Sequence, residues 1–172
     1  SLETAAKLTI TRNGTITSEC GNNNSYCIDV NGGEVVVANG KFYGAVTAIQ
    51  VESGNLIING GTFDLAPTCK AQVPDYAKYV VNCIDKAFGD NTATISITGG
   101  TFVNFDPSDN PEGTGTSYVA ESYTPAIDVD GNFEILSESD ENIVIDKATG
   151  NKYVNQEAME ANEVDFLSKI GN

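Results

Sequence analysis

The chain has 172 residues, 40% of them apolar, which is enough for one domain with a real core and argues against disorder. Its balance of 9 basic against 24 acidic residues, a net charge of −15, excludes the basic footprint that nucleic acids need and disfavours anionic membrane surfaces. No apolar run is long enough to cross a membrane as a helix, and the absence of His and Trp removes His-dependent triads and His-ligated metals.

The chain begins at Ser1 in a polar stretch with no basic-apolar signal segment, as expected of a processed product or a piece of a longer protein. A degenerate repeat comes next. Leu8-Thr-Ile-Thr-Arg-Asn-Gly-Thr-Ile16 is a weak first copy. Glu34-Val-Val-Val-Ala-Asn-Gly-Lys-Phe42, Asn55-Leu-Ile-Ile-Asn-Gly-Gly-Thr-Phe63 and Ala93-Thr-Ile-Ser-Ile-Thr-Gly-Gly-Thr-Phe102 are clear ones. Each runs from a β-branched strand through a Gly turn to a Phe. A second strand-like element recurs between copies: Cys27-Ile-Asp-Val30, Ala48-Ile-Gln-Val51, Cys83-Ile-Asp85 and Ala126-Ile-Asp-Val129.

A unit of this size cannot bury its own apolar face, but units stacked about 4.8 Å apart pair each strand with its equivalents above and below. The order predicts an all-β fold, a short right-handed parallel β-helix of about four to five coils over residues 1–140. Ile28, Ile49, Ile84 and Ile127 would form one internal ladder. Phe42, Phe63 and Phe102, continued by Ile16, would form another, with Gly40, Gly61 and Gly100 at turns of positive φ. Ile49→Asp is therefore expected to prevent folding, because a buried unpaired charge costs more than a small domain can spare.

The spacing from Ile28 to Ile49 is compact, whereas the later intervals carry insertions at residues 64–80 and 103–125. These leave the same edge and hold all five prolines, Pro67, Pro74, Pro107, Pro111 and Pro125. Residues 141–172 read as a hairpin or last coil, then a capping helix over Gln156–Ile170. Asn155 would be its N-cap, Val154 and Met159 a staple, and Gly171 its C′ residue. Met159, Phe166, Leu167 and Ile170 would form its apolar stripe.

Four groups of residues suggest chemistry. Asp29, Gln50, Asp85 and Asp128 recur at one repeat position. In successive coils Asp85 and Asp128 would bring carboxylates to roughly 5 Å, the separation retaining glycosidases use, so an enzyme acting on polysaccharide as lyase or hydrolase is the alternative to a non-enzymatic module. A solvent-facing polar ladder is the plainer account. Asp106, Asp109, Asn110 and Glu112 offer oxygen ligands suited to Ca²⁺, in a loop where Asp and Asn also serve as turn residues. Tyr76, Tyr79, Phe105, Tyr118 and Tyr123 in the insertions suit sugar rings, or else pin their own loops to the scaffold. The cysteines Cys20, Cys27, Cys69 and Cys83 lack zinc-site spacing. With Cys27 and Cys83 two coils apart, all four are expected as free thiols.

The segment Gly99-Gly-Thr-Phe-Val-Asn-Phe-Asp-Pro107, with Glu112-Gly-Thr-Gly-Thr-Ser-Tyr-Val119, resembles a repeat of β-helical proteins from gut bacteria and their phages. These belong to the broad pectate-lyase-like group, and the resemblance covers roughly residues 8 to 136. It implies a structural and binding module of a virion appendage, a capsid or tail decoration, or a bacterial cell surface. Such a module would be often trimeric, and its partners would be virion or surface proteins and glycans. No catalytic residue of that group has a match here.

Overall fold

The computed structural model describes residues 6–18, 25–67, 69, 79–109 and 117–170, the last seven of these as backbone only. The protein is mostly β with a C-terminal helix. Its strands are β1 (Lys7–Ile10), β2 (Thr15–Thr17), β3 (Tyr26–Val37), β4 (Lys41–Gly44), β5 (Thr47–Leu65), β6 (Val81–Cys83) and β7 (Ala93–Phe102). They continue with β8 (Tyr123–Ile127), β9 (Phe133–Ser137), β10 (Val144–Ile145) and β11 (Lys152–Tyr153). The helices are a single turn, α1 (Asp85–Gly89), and α2 (Gln156–Ile170).

Strands β3 and β5 are long because each turns corners without leaving the ladder; register shifts mark the bends between Val30 and Glu34, and between Ile58 and Thr62. The pairings fall into three parallel stacks. In the first, Ile28 pairs with Ile49 and Ile49 with Val81. In the second, Leu8, Val35, Leu56 and Ile95 align, as do Ile10, Val37, Ile58 and Ile97. In the third, Ile16, Phe42, Phe63 and Phe102 align. Alternate residues of these runs, including Ile49, Val51, Leu56, Ile58 and Ile97, are fully buried and form one continuous core.

The third stack is a direct result of the Gly-x-Phe spacing. The Phe42 and Phe63 rings stack at 5.1 Å and 9°, and those of Phe63 and Phe102 at 5.0 Å and 14°. Gly40, Gly61 and Gly100 precede them with φ of 116°, 109° and 105°. Only glycine takes that backbone freely, and a Cβ at Gly40 would also lie 3.2 Å from the Phe42 ring. The turn and the ring column therefore require each other.

The first stack corrects the expected register. Gln50 pairs with Asn82 and Val51 with Cys83, so the third repeat enters three residues earlier than Cys83-Ile-Asp85 would place it. An odd slip turns every side chain to the other face. Val81 takes the buried ladder position, and Ile84 is 42% exposed. The cause is the helical turn beyond β6: Ile84 occupies the N-cap position of α1, Asp85 opens its first turn, and the helix carries the chain round a corner that compact repeats make with a bend. Cys83 accordingly matches Val51, and not Ala48 as expected.

The last repeat also differs. Residues 117–120 touch the second stack through a parallel bridge between Ile97 and Val119, and then β8 and β9 form an antiparallel pair. Strand β9 closes on β7 antiparallel, with Phe133 opposite Phe102. Ile127 thus pairs with Phe133 and Tyr153 and does not continue the isoleucine ladder. Pro125 lies inside β8, not in a loop. The hydrogen bonds Glu138 N to Ser122 O and Asp128 N to Asn132 O flank β8 at even-numbered residues facing β9, so the missing N–H of the odd-numbered Pro125 points to the other edge.

Strands β10 and β11 form an antiparallel hairpin. The N-cap of α2 is Asn155, whose Oδ1 accepts the Ala158 N–H at 2.9 Å. Ala158 is fully buried, and Asn162 Nδ2 donates to the Asp128 carbonyl at 2.9 Å, tying the helix to the turn after β8. The side chains of Phe166, Leu167 and Ile170, and the whole of Gly171, lie outside the described residues.

Two outcomes check this register. Val81→Asp abolishes cooperative folding, whereas Ile84→Asp leaves the melting transition nearly unchanged because that side chain is exposed and Asp is favoured at an N-cap. Phe63→Ala, which removes the middle ring, costs about 3–5 kcal/mol in denaturant titration.

Candidate functional site

The two insertions do leave the scaffold side by side. Phe63 pairs with Phe102, and the Val103 N–H donates to the Phe63 carbonyl at 3.0 Å. Two residues past Phe63 the chain departs at Leu65 and Ala66, where the Ala66 N–H donates to the Gly44 carbonyl at 2.7 Å. Loops rooted on adjacent rungs of a rigid ladder are a natural place for recognition.

The aromatic residues expected there have mostly gone inward. Phe105 is 5% and Tyr118 2% exposed, both within the main core, and Tyr118 meets the Phe88 ring edge-on at 5.5 Å. The Tyr118 N–H donates to the Pro107 carbonyl at 2.9 Å, joining the two arms of the second insertion, and the Tyr118 carbonyl accepts the Ile97 N–H. These two rings anchor their loop, and neither presents a face to an external sugar. Tyr79 and Tyr123 are half-buried against the same core, and Tyr76 lies outside the described residues.

The carboxylates expected to cooperate are held apart in role. Asp85 is exposed at the start of α1. Asp128 sits in the turn after β8, where its Oδ1 accepts the N–H groups of Asp130 and Asn132, both at 2.9 Å, and its Oδ2 accepts Asn132 Nδ2 at 3.2 Å. The ladder that was to align them contains Asn82 in the place given to Asp85, so the geometric basis for a carboxylate pair is absent. Asp106 behaves as a turn residue: its Oδ1 accepts both the N–H and the hydroxyl of Ser108 at 2.8 Å, and the Asp109 N–H donates to its carbonyl. Asn110 and Glu112 lie outside the described residues. Among the described residues no three carboxylate or thiol groups converge as a metal site.

A different polar feature faces outward on the first stack. Asp29, Gln50 and Asn82 align, and Asn82 Nδ2 donates to Gln50 Oε1 at 3.1 Å. Asp29 is exposed, yet Gln50 is 3% exposed although it points away from the core. The Asn82 Oδ1 atom is buried without a hydrogen-bond partner. Asp64, outward-facing on the third stack, is buried too and accepts the Leu65 N–H at 2.7 Å. The insertion side is thus covered polar surface. No sequence signal marks it, because burial of an outward position depends on what the loops do.

The cysteines correct another expectation. Cys69 is buried beside Ala45, Ala66 and Tyr43 and is disulfide-bonded, its partner lying outside the described residues. Cys27 and Cys83 carry no disulfide. Burial pushes the Cys27 thiol up, against smaller lowering by hydrogen bonds from Ser18 and Tyr43, so it is a poor nucleophile. Burial also raises the Tyr26 phenol, with Glu52 and Asp29 adding to it.

At the antiparallel end, burial raises the Glu134 carboxyl above the usual carboxylate range, and the charges of Asp128 and Asp140 push it further in the same direction. By contrast Asp146 is held below its ordinary value, chiefly by the Thr149 hydroxyl and then by the Ala148 N–H.

Comparison with protein-family models, with curated proteins and with solved structures finds no match to this chain.

Two measurements check these side chains. Thiol titration of the unfolded, unreduced chain counts two reactive thiols out of four, since one disulfide consumes Cys69 and its partner; a count of four would remove the disulfide. For Glu134, a raised acid favours the protonated form in the folded state. Its contribution to stability is present below the unfolded value of about 4.3 and is lost as pH rises through the higher folded value. Glu134→Gln is therefore expected to raise the denaturation midpoint at pH 7, with the gain vanishing near pH 3.

Proposed function

We propose that the three parallel stacks make up a short right-handed parallel β-helix, closed at one end by the β8–β9 hairpin and α2. On this reading the chain is a non-enzymatic structural and binding module, part of a phage virion appendage or of a bacterial surface protein. The observation that carries it is the fixed order of the three stacks. A chain that visits the same three faces in the same sequence, with parallel register each time, winds as a coil, and parallel crossovers are right-handed almost without exception. The disulfide at Cys69 supports an oxidising compartment, which suits a virion or cell surface. The acidic balance supports solubility without nucleic acid as partner.

The separate surroundings of Asp85 and Asp128 favour a binding role over polysaccharide cleavage. Glycan recognition belongs to the side where the two insertions leave. Phe105 and Tyr118 are buried in the core, and Val119 bridges to Ile97. Removing residues 107–122 would take away core contacts, so only residues 110–116 are replaced, by a short Gly-Ser linker.

The test is a panel of acidic and neutral glycans, read for both binding and turnover. The expected result is glycan binding without release of product, lost when residues 110–116 are replaced while the melting curve is kept. Turnover abolished by Asp85→Asn or Asp128→Asn would overturn the non-enzymatic reading. Normal binding by the loop replacement would overturn the assignment to the insertion side.

A further inference from the structure

Four asparagines stand directly before a glycine: Asn13, Asn31, Asn39 and Asn59. A glycine nitrogen has no side chain beside it to hinder it, so it can reach back to the carboxamide carbon of the preceding asparagine. In a folded chain that reaction depends on where the carboxamide is held, because a bond forms only between atoms kept close and suitably turned.

The fold holds the four differently. At two of them the carboxamide is turned along the ladder: Asn31 Oδ1 accepts the Ser53 hydroxyl at 3.2 Å, and Asn59 Oδ1 accepts the Thr98 hydroxyl at 2.8 Å. Asn13 and Gly14 are exposed in the connection between β1 and β2, with nothing within 4 Å of where a Cβ on Gly14 would lie. At Asn39 the carboxamide is turned back on its own chain, and its Oδ1 accepts the Gly40 N–H at 2.8 Å. The N–H groups on either side serve the ladder instead, Ala38 donating to the Ile10 carbonyl and Lys41 to the Gly14 carbonyl, both at 2.8 Å. The backbone around Gly40 is thus fixed, while its own nitrogen is held against an oxygen one bond from the carbon it would attack. Asn39 is half-buried, so water reaches it.

We propose that Asn39-Gly40 is a self-modification site, where the folded chain converts Asn39 through a succinimide into aspartate or isoaspartate. The Gly40 nitrogen loses its proton to solvent base. Rotation about the last side-chain bond of Asn39 turns Cγ toward that nitrogen, the N–Cγ bond forms, and the carboxamide nitrogen takes a proton from water and leaves as ammonia. Water then opens the ring. Attack at Cγ restores the main chain and leaves an aspartate side chain. Attack at the main-chain carbonyl routes the backbone through the side chain, as isoaspartate, and lengthens it by a methylene. The site matters because it feeds the ring column: Gly40 has φ of 116°, and a Cβ on it would lie 3.2 Å from the Phe42 ring, which stacks on Phe63 at 5.1 Å. A longer backbone just before Gly40 moves this bend and loosens that stack. Either product adds a negative charge to a chain already at −15. The inference rests on the hydrogen bond at Asn39 and not on glycan binding.

The experiment is peptide mapping by mass spectrometry, with fragment-ion sequencing, of the wild-type chain aged folded and aged in denaturant in the same mildly alkaline buffer. In denaturant all four Asn-Gly pairs are expected to convert at similar rates. In the folded chain Asn31 and Asn59 are expected to slow by about tenfold or more, because reaction there waits on local opening. Exposed Asn13 serves as the open reference, and Asn39 is expected to convert at least as fast as it does in denaturant. Asn39→Gln keeps the amide, but its longer side chain closes a ring far more slowly. It is expected to hold its melting point over the ageing period while that of the wild type falls. Asn39 slowing in the folded chain as Asn31 and Asn59 do would overturn the proposed site. A wild type whose melting point falls no further than that of Asn39→Gln would overturn the link to the ring column.

Discussion

The in-register column of Phe42, Phe63 and Phe102 is the contact on which the rest of the protein depends. A parallel strand pair has no tight turn to fix its alignment, so something else must set which residue lies over which. Here three near-parallel rings do so, each preceded by a glycine whose backbone and missing Cβ leave room for a ring of the column, Phe42 at Gly40 and Phe63 at Gly61 and Gly100. A slip by one residue would put the rings into solvent and the polar neighbours into the core. Once this column is fixed, Val35, Leu56 and Ile95 on one side and Leu65 and Gly44 on the other fall into line.

That same constraint explains where the loops go. Both insertions begin just after the ring column, so their departure points are neighbours whatever their interior does. The cost is a polar surface that becomes covered. Gln50 and Asn82 answer this by bonding to each other, and Asp64 by accepting a main-chain N–H. Elsewhere the outer faces carry short polar rungs, such as Thr94 to Asn55 and Thr98 to Asn59, both at 2.8 Å, which hold the paired strands β5 and β7 without demanding burial.

Some of this was legible in the chain and some was not, for reasons that differ residue by residue. The ring column and its turns were readable because Gly and Phe stand at a constant separation and few other structures require both. The position of the third copy in the first stack was not, because Val81-Asn82-Cys83 and Cys83-Ile84-Asp85 offer rival alignments and only the helical turn at Asp85 decides between them. The antiparallel closure was missed since Ala126-Ile-Asp-Val129 carries the repeat's pattern while its partner strand, Phe133–Ser137, has none of it. The disulfide at Cys69 was hidden because spacing along a chain says nothing about distance across it. Among candidate site residues, the insertion edge was legible from length alone. The inward turn of Phe105 and Tyr118 was not, because a ring on a loop reads the same whether it faces a ligand or its own scaffold.

Engineered cross-links read out the parallel, in-register alignment of successive copies. Asn55 and Thr94 lie opposite each other on the outer face of β5 and β7, where a disulfide has the reach it needs, whereas Asn55 and Thr98 are well out of register. In a chain with Cys27 and Cys83 changed to Ser, the account predicts that Asn55→Cys with Thr94→Cys cross-links on mild oxidation and that the folded protein becomes more stable. Asn55→Cys with Thr98→Cys should stay reduced. Efficient cross-linking of the second pair, with none of the first, would contradict the alignment and the architecture built on it.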